Sequence, residues 1–155
     1  MILTYNQIIK ELSIFAADHY QIQNFGNGDL FEAVEHNQLL DWNYPLLWVV
    51  DQPASIGDKI FTWNFNIIAM SLVEKDLANE NEVKSDMAQV LLDLVAYFEQ
   101  KTSTTNNSNW MKVNLVRGGT MTSFTERFED ELTGFGMTIG FKMPYKYDAC
   151  NLPMT

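Results

Sequence analysis

Two imidazoles, one thiol and one run of carboxylates are what this chain offers for catalysis or metal binding. His19 closes an apolar stretch of helical spacing, where an imidazole caps or packs a helix end. His36 lies near Glu32 and Glu35, and a lone imidazole beside carboxylates is a thin ligand set for a metal. Cys150 is the single cysteine. It has no internal disulfide partner and cannot build a structural zinc site, which favours a reducing compartment. It reads as a small, half-buried residue near the C-terminus. Glu129-Asp130-Glu131 has the composition of paired acid–base carboxylates, but consecutive strand residues point to opposite faces and do not converge. Gly26-Asn27-Gly28 lacks the further glycine and preceding strand of a dinucleotide loop, and no Walker lysine is present. Gly118-Gly119 reads as a turn, and a serine nucleophile elbow is absent. The residues therefore nominate no catalytic group, cofactor or metal ligand, and the chain is not expected to be an enzyme.

Recognition chemistry is better represented. Trp48 and Trp63 fall in apolar strands and read as core. Trp42 and Trp110 fall beside loops, where tryptophans serve interfaces, and both are interface candidates, with ordinary packing the alternative. Gly134, Gly136 and Gly140 share one face of the last strand. Glycine weakens a strand unless something approaches closely. The approaching body is either a helix of the same chain or a neighbouring subunit, so these three glycines complete the candidate set.

These residues must be positioned by a fold that 155 residues can bury as a single domain, covering 1–155 with an irregular tail over about 143–155. Hydrophobic residues at 46% and aromatics at 13% exclude a disordered chain. The net charge of −10 excludes a protein that grips nucleic acid through a basic patch. It is compatible with an acidic surface that DNA passes without adhering. The apolar opening Met1-Ile2-Leu3 is broken too soon for a signal peptide. The longest apolar stretch, Ile67 to Val73, is too short for a membrane span. A soluble protein, not secreted by a signal, is expected.

Thr4-Tyr5-Asn6-Gln7 has the form of a capping box. Ile8, Leu12, Phe15, Ala16 and His19 follow at helical spacing, predicting a helix from Thr4 to His19. Over Gln21 to Asn43 the turn-like Phe25-Gly26-Asn27-Gly28-Asp29 is followed either by a short helix capped by Asp29 or by a short strand pair; both fit. Leu46 to Val50 predicts a short buried strand. Asp51 to Asp58, with Pro53 and Gly57, predicts a loop. Lys59 to Glu74 predicts a long strand. Its face with Phe61, Trp63, Phe65, Ile67 and Ala69 is apolar. Its other face begins with Thr62, Asn64 and Asn66 and turns apolar at Ile68, Met70 and Leu72, so one end should be covered on both sides. Asn79-Glu80-Asn81-Glu82 repeats the capping pattern ahead of a helix to Lys101, striped by Val83, Met87, Val90, Leu91, Leu94, Val95 and Phe98. The polar run to Asn109 predicts a surface loop. Trp110 to Arg117 predicts a strand ended by Gly118-Gly119. Met121 to Glu131 is ambiguous, with strand favoured, and Leu132 to Lys142 predicts a strand. The expected class is α+β: an antiparallel sheet of about four strands with two main helices on one face.

That layout resembles small virion proteins at the head–tail junction of tailed phages, namely tail-terminator, tail-completion and neck-ring proteins. The likeness rests on the N-terminal helix, the Tyr44-Pro45-Leu46-Leu47-Trp48-Val49 strand, the long strand ending in Val73-Glu74-Lys75-Asp76, the long helix and the closing strands. Phe25-Gly26-Asn27-Gly28-Asp29 and the Tyr-Pro-Leu-Leu-Trp run look like those of structural proteins in phages of Bacteroidota-type hosts, crAss-like phages included. The resemblance implies a virion protein of the neck or tail, made in the host cytoplasm. It would form a homo-oligomeric ring, six-fold or twelve-fold, stacked against portal, neck or tail proteins, with DNA only as passing cargo and no membrane contact. It implies no catalytic residue. The alternative is a small acidic phage-encoded protein that sequesters a basic partner.

Overall fold

The computed structural model describes residues 3–28, 43–73, 79–103, 110, 112–127 and 131–154. The first helix, α1 (Tyr5–Asp18), starts where the capping pattern places it. Thr4 accepts from the Gln7 amide, and the Gln7 side chain accepts from the Thr4 amide at 2.8 Å. Ile8, Leu12, Phe15 and Ala16 are its buried stripe. The second helix, α2 (Glu80–Ser103), runs two residues past the expected Lys101 and buries Met87, Val90, Leu91, Leu94 and Phe98. Of the polar run expected to form a loop, Lys101 to Ser103 is helical, and 104–109 lie outside the described residues.

Among the described residues five strands form one sheet: β1 (Asn24–Asn27), β2 (Leu46–Gly57), β3 (Ile60–Leu72), β4 (Asn114–Arg127) and β5 (Glu131–Pro144), in the spatial order β1-β2-β3-β5-β4. The class is α+β, as expected, but the sheet is mixed. β1 pairs parallel to β2, from Asn24 opposite Leu46 to Asn27 opposite Val49, and the other pairs are antiparallel. Because β3 and β4 both run antiparallel to β5, they are parallel to each other. A parallel return needs a long crossover, which α2 provides, leaving the slot that β5 fills. The parallel edge strand is the part that alternation could not reveal, since β1 occupies the segment whose glycines look like a turn. Gly26 is there because the Trp48 ring lies on it: a Cβ at position 26 would stand 2.1 Å from that ring.

Both helices cover the same sheet face. α1 and α2 pack with Leu47, Val49, Phe65, Ile67, Ala69, Met137, Ile139 and Phe141 in one core. The far face carries a smaller cluster, Leu46, Trp48, Met70 and Leu132, at the end of β3 where both sides were expected to be apolar. The segment expected as a loop, Asp51 to Asp58, is mostly strand: β2 continues to Gly57, with its register shifted between Gln52 and Ser55. Pro53 lies inside that register shift and past Val49, where the β1 ladder ends, and proline is tolerated at such a bulge. Gly118-Gly119 does not end a strand either. β4 passes through it, with a register shift between Arg117 and Met121 and Gly119 at φ +80°. Glycine serves a bulge of this kind because it alone adopts that backbone freely. Trp110 sits before β4 in a turn closed by the Val113 amide on the Trp110 carbonyl.

Candidate functional site

The described polar side chains of the helix layer meet along the α1–α2 seam. His19 terminates α1, its amide bonded to the Phe15 carbonyl. Its Nδ1 accepts from the Gln21 amide at 3.2 Å, so the ring proton sits on Nε2, which reaches the Asp93 carboxylate at 2.9 Å. Gln89 donates to the other Asp93 oxygen at 2.8 Å. One turn further along α2, the Tyr97 hydroxyl donates to Glu11, and Lys101 pairs with the same carboxylate at 2.6 Å. Lys101 also lies 5.5 Å from the centre of the Trp110 ring. Burial, together with the Glu11 hydrogen bond and charge, pushes the Tyr97 phenol well above its ordinary value. Burial would raise the Asp93 carboxyl, but the hydrogen bonds from His19 and Gln89 outweigh it and hold the group below its ordinary value.

This seam ties α1 to α2 through side-chain hydrogen bonds and one ion pair. Both His19 ring nitrogens are engaged, Nδ1 by the Gln21 amide and Nε2 by the Asp93 carboxylate. A depressed carboxyl stabilises the fold above its unfolded value and loses that contribution as pH falls through the folded one. Asp93 is 41% exposed, so solvent screening holds the contribution to below about 1 kcal/mol. Asp93→Asn should therefore lower the urea midpoint slightly at pH 6 and leave it equal to wild type near pH 2. A difference that persists unchanged at the acid end would contradict this origin.

The other sequence-nominated residues are scattered. Cys150 is exposed in a short 3-10 turn (Ala149–Asn151), not half-buried. His36, Trp42, Glu129 and Asp130 lie outside the described residues. Trp110 is only 5% exposed, ringed by Phe98 at 5.6 Å and Phe141 at 6.0 Å, so it is a core residue of the free chain and not a surface anchor. Among the described residues no group of three or more His, Cys, Asp or Glu side chains is arranged to hold a metal. No described helix is long and apolar enough to cross a membrane.

The three glycines of β5 do not act as one surface. A Cβ at Gly134 would lie 1.9 Å from the Ala69 carbonyl oxygen, so the close approach there is that of the chain's own β3. At Gly140 it would lie 2.7 Å from Asn64 Oδ1, a side chain anchored by its own hydrogen bond to the Pro53 carbonyl. Only at Gly136 would a Cβ make ordinary contacts, 3.7 Å or more, on the sheet face opposite the helices. The close approaches at Gly134 and Gly140 thus come from β3 and its side chains, not from a helix of the chain.

The surface that stands out is the end of the sheet where β2 turns into β3. From Asp51 to Lys59 every residue is exposed. Among the described residues this half of β2 pairs with β3 alone, and Ile56 is 78% exposed on it. The chain after β5 returns to the same place: the Tyr145 amide bonds to the Lys59 carbonyl, and the Tyr147 hydroxyl to the Ile60 carbonyl. Tyr145 and Tyr147 stack edge to face with ring centres 4.8 Å apart, and Tyr147 is 52% exposed. Large half-exposed aromatics with anchored hydroxyls are the residues that interface cores use. Sequence reading missed this patch because Asp51 to Asp58 looked like a loop and the tail like an irregular end. The Tyr-x-Tyr spacing after a strand-ending proline was the available signal.

No protein-family model matches the chain, and no characterised protein matches it in sequence.

Proposed function

We propose that the chain is a structural, non-enzymatic subunit of a tailed-phage neck or tail, forming a homo-oligomeric ring at the head–tail junction through which DNA passes. The observation that carries this reading is the exposed end of the β2–β3 hairpin, joined by the Tyr145–Tyr147 segment. It is an apolar and aromatic surface at the end of a rigid sheet, where a subunit contact has something to bury. The net charge of −10 supports the lumen part of the reading, because an acidic wall does not retain a polyanion. The layout that resembles head–tail junction proteins supplies the setting.

The rival is a small acidic protein, monomeric or dimeric, that sequesters a basic partner. Molar mass from light scattering during gel filtration separates the two. A ring subunit is expected to elute at six or twelve chain masses, alone or once its neighbouring ring protein is added, with closed rings visible by electron microscopy. A chain that stays at 17.8 kDa under both conditions and binds a basic partner one to one would overturn the ring reading.

A further inference from the structure

The charges of the chain are divided unevenly between the two ends of its strands. At the hairpin end, Lys59 occupies the β2–β3 turn, and Lys142 sits opposite Thr62 and Asn114. Lys112 precedes β4 by two residues, and Lys146 follows Tyr145. Asp51, Asp58 and Asp148 are the described carboxylates of this end, so its four lysines leave it slightly positive in a chain whose total is −10. None of the four lysines is in an ion pair with a described residue. Around them lie the exposed Ile56, Tyr145 and Tyr147.

The opposite end carries the complementary chemistry. The first turns of α2 expose Glu82 and Asp86. Asp86 lies on the rim shared by two shallow hollows of about 400 and 360 Å³. The larger is walled by Tyr20, Gln21, Gln23, Pro45 and Met87, and the Tyr20 ring is 95% exposed. The β3 strand of 13 residues separates the ends by about 40 Å at 3.3 Å per residue. The screening length in physiological salt is about 8 Å. The basic end therefore cannot be neutralised by the acidic end of its own copy.

We infer that the basic, aromatic end of one copy docks on the acidic hollow at the start of α2 in the next copy. The inference rests on the reading that the chain self-assembles, and it names the two surfaces that meet. Lysines facing Glu82 and Asp86 gain charge-assisted hydrogen bonds, and a lysine over the bare Tyr20 ring gains a cation–π contact. Ile56 and Tyr147 supply apolar area against Pro45 and Met87. Because the two patches differ, the contact is heterologous, and its repetition closes a ring or grows an open chain according to the rotation between copies.

Two charge-reversed chains test this. One carries Lys112→Glu with Lys146→Glu; the other carries Glu82→Lys with Asp86→Lys. Each alone then faces like charge with like, and self-association in low salt, read by native mass spectrometry, is expected to weaken by about a hundredfold. Mixed one to one, the two chains present complementary ends again and are expected to assemble with strict alternation, which also shows that both are folded. Wild-type assembly is expected to weaken as salt rises. The inference is overturned by a wild-type chain that is monomeric at every concentration in low salt, by variants that assemble alone as well as wild type, or by a mixture that fails to assemble. Closed rings indifferent to the charge reversals would sink this contact while leaving the ring reading intact. Alternating but open chains would support the contact and sink the ring.

Discussion

Gly134→Ala is expected to unfold the domain or cost it at least about 3 kcal/mol, while Gly136→Val leaves it folded. The two positions lie on the same strand face, two residues apart, and sequence reasoning treats them alike. The structure does not. The added methyl at Gly134 would fall 1.9 Å from the Ala69 carbonyl oxygen, and that oxygen belongs to the backbone of the central strand. It cannot swing aside as a side-chain end would. The β3–β5 pairing around Thr133 and Met70 would have to open, in a region where Thr133 is fully buried and bonded to the Phe124 carbonyl at 2.9 Å. A total stability of about 5–15 kcal/mol leaves little margin for such a loss. At Gly136 the methyl meets the Ile68 side chain at 3.7 Å, an ordinary contact, and valine is a better strand former than glycine. Circular dichroism melts of both variants decide the matter. A Gly134→Ala protein melting with wild type would show that β3 and β5 are not as close as described. A Gly136→Val protein that fails to fold would show the open face to be covered.

Leu94→Ala is expected to cost about 2–5 kcal/mol, the range for truncating a fully buried leucine in a core that collapses only partly. Leu94 has no solvent exposure and belongs to the cluster that joins α2 to β3 and β5. Two residues earlier on the same helix, Leu92 is 51% exposed, and Leu92→Ala is expected to stay within about 0.5 kcal/mol of wild type. The pair separates burial from helix propensity, since both changes place the same residue in the same helix. Urea unfolding of the two variants should differ by most of the Leu94 effect. Equal midpoints would mean that α2 does not pack on the sheet through this face.

The helices were legible in the sequence because their signals are local. A capping box at Thr4 and a stripe from Val83 to Phe98 depend on neighbours three and four residues away, and those neighbours are on the page of the sequence. The two faces of β3 were legible for the same reason: alternation from Phe61 to Ala69 and the apolar turn at Ile68 to Leu72 record what covers each side. The antiparallel β3–β5 pairing fits the expected class. Glycine and proline were where local reading failed. Gly26, Pro53 and Gly118-Gly119 were read as punctuation, yet each lies inside a strand. Their roles are set by partners far along the chain: the Trp48 ring, a register shift against β3, and a bulge against β5. Trp110, beside a polar run, fitted either an interface or ordinary packing in sequence, and the described chain turns it into an aromatic box with Phe98 and Phe141. The candidate interface depends still more on tertiary structure. Lys59, Lys142 and Lys146 are separated in sequence by a helix and three strands, and scattered lysines in an acidic chain carry no signal. Composition determined the excess of negative charge and the presence of a core. Only the pairing of β3 with β5 decided that the unpaired lysines share one end of the sheet with two exposed tyrosines, because register, not composition, fixes which residues of distant strands stand side by side.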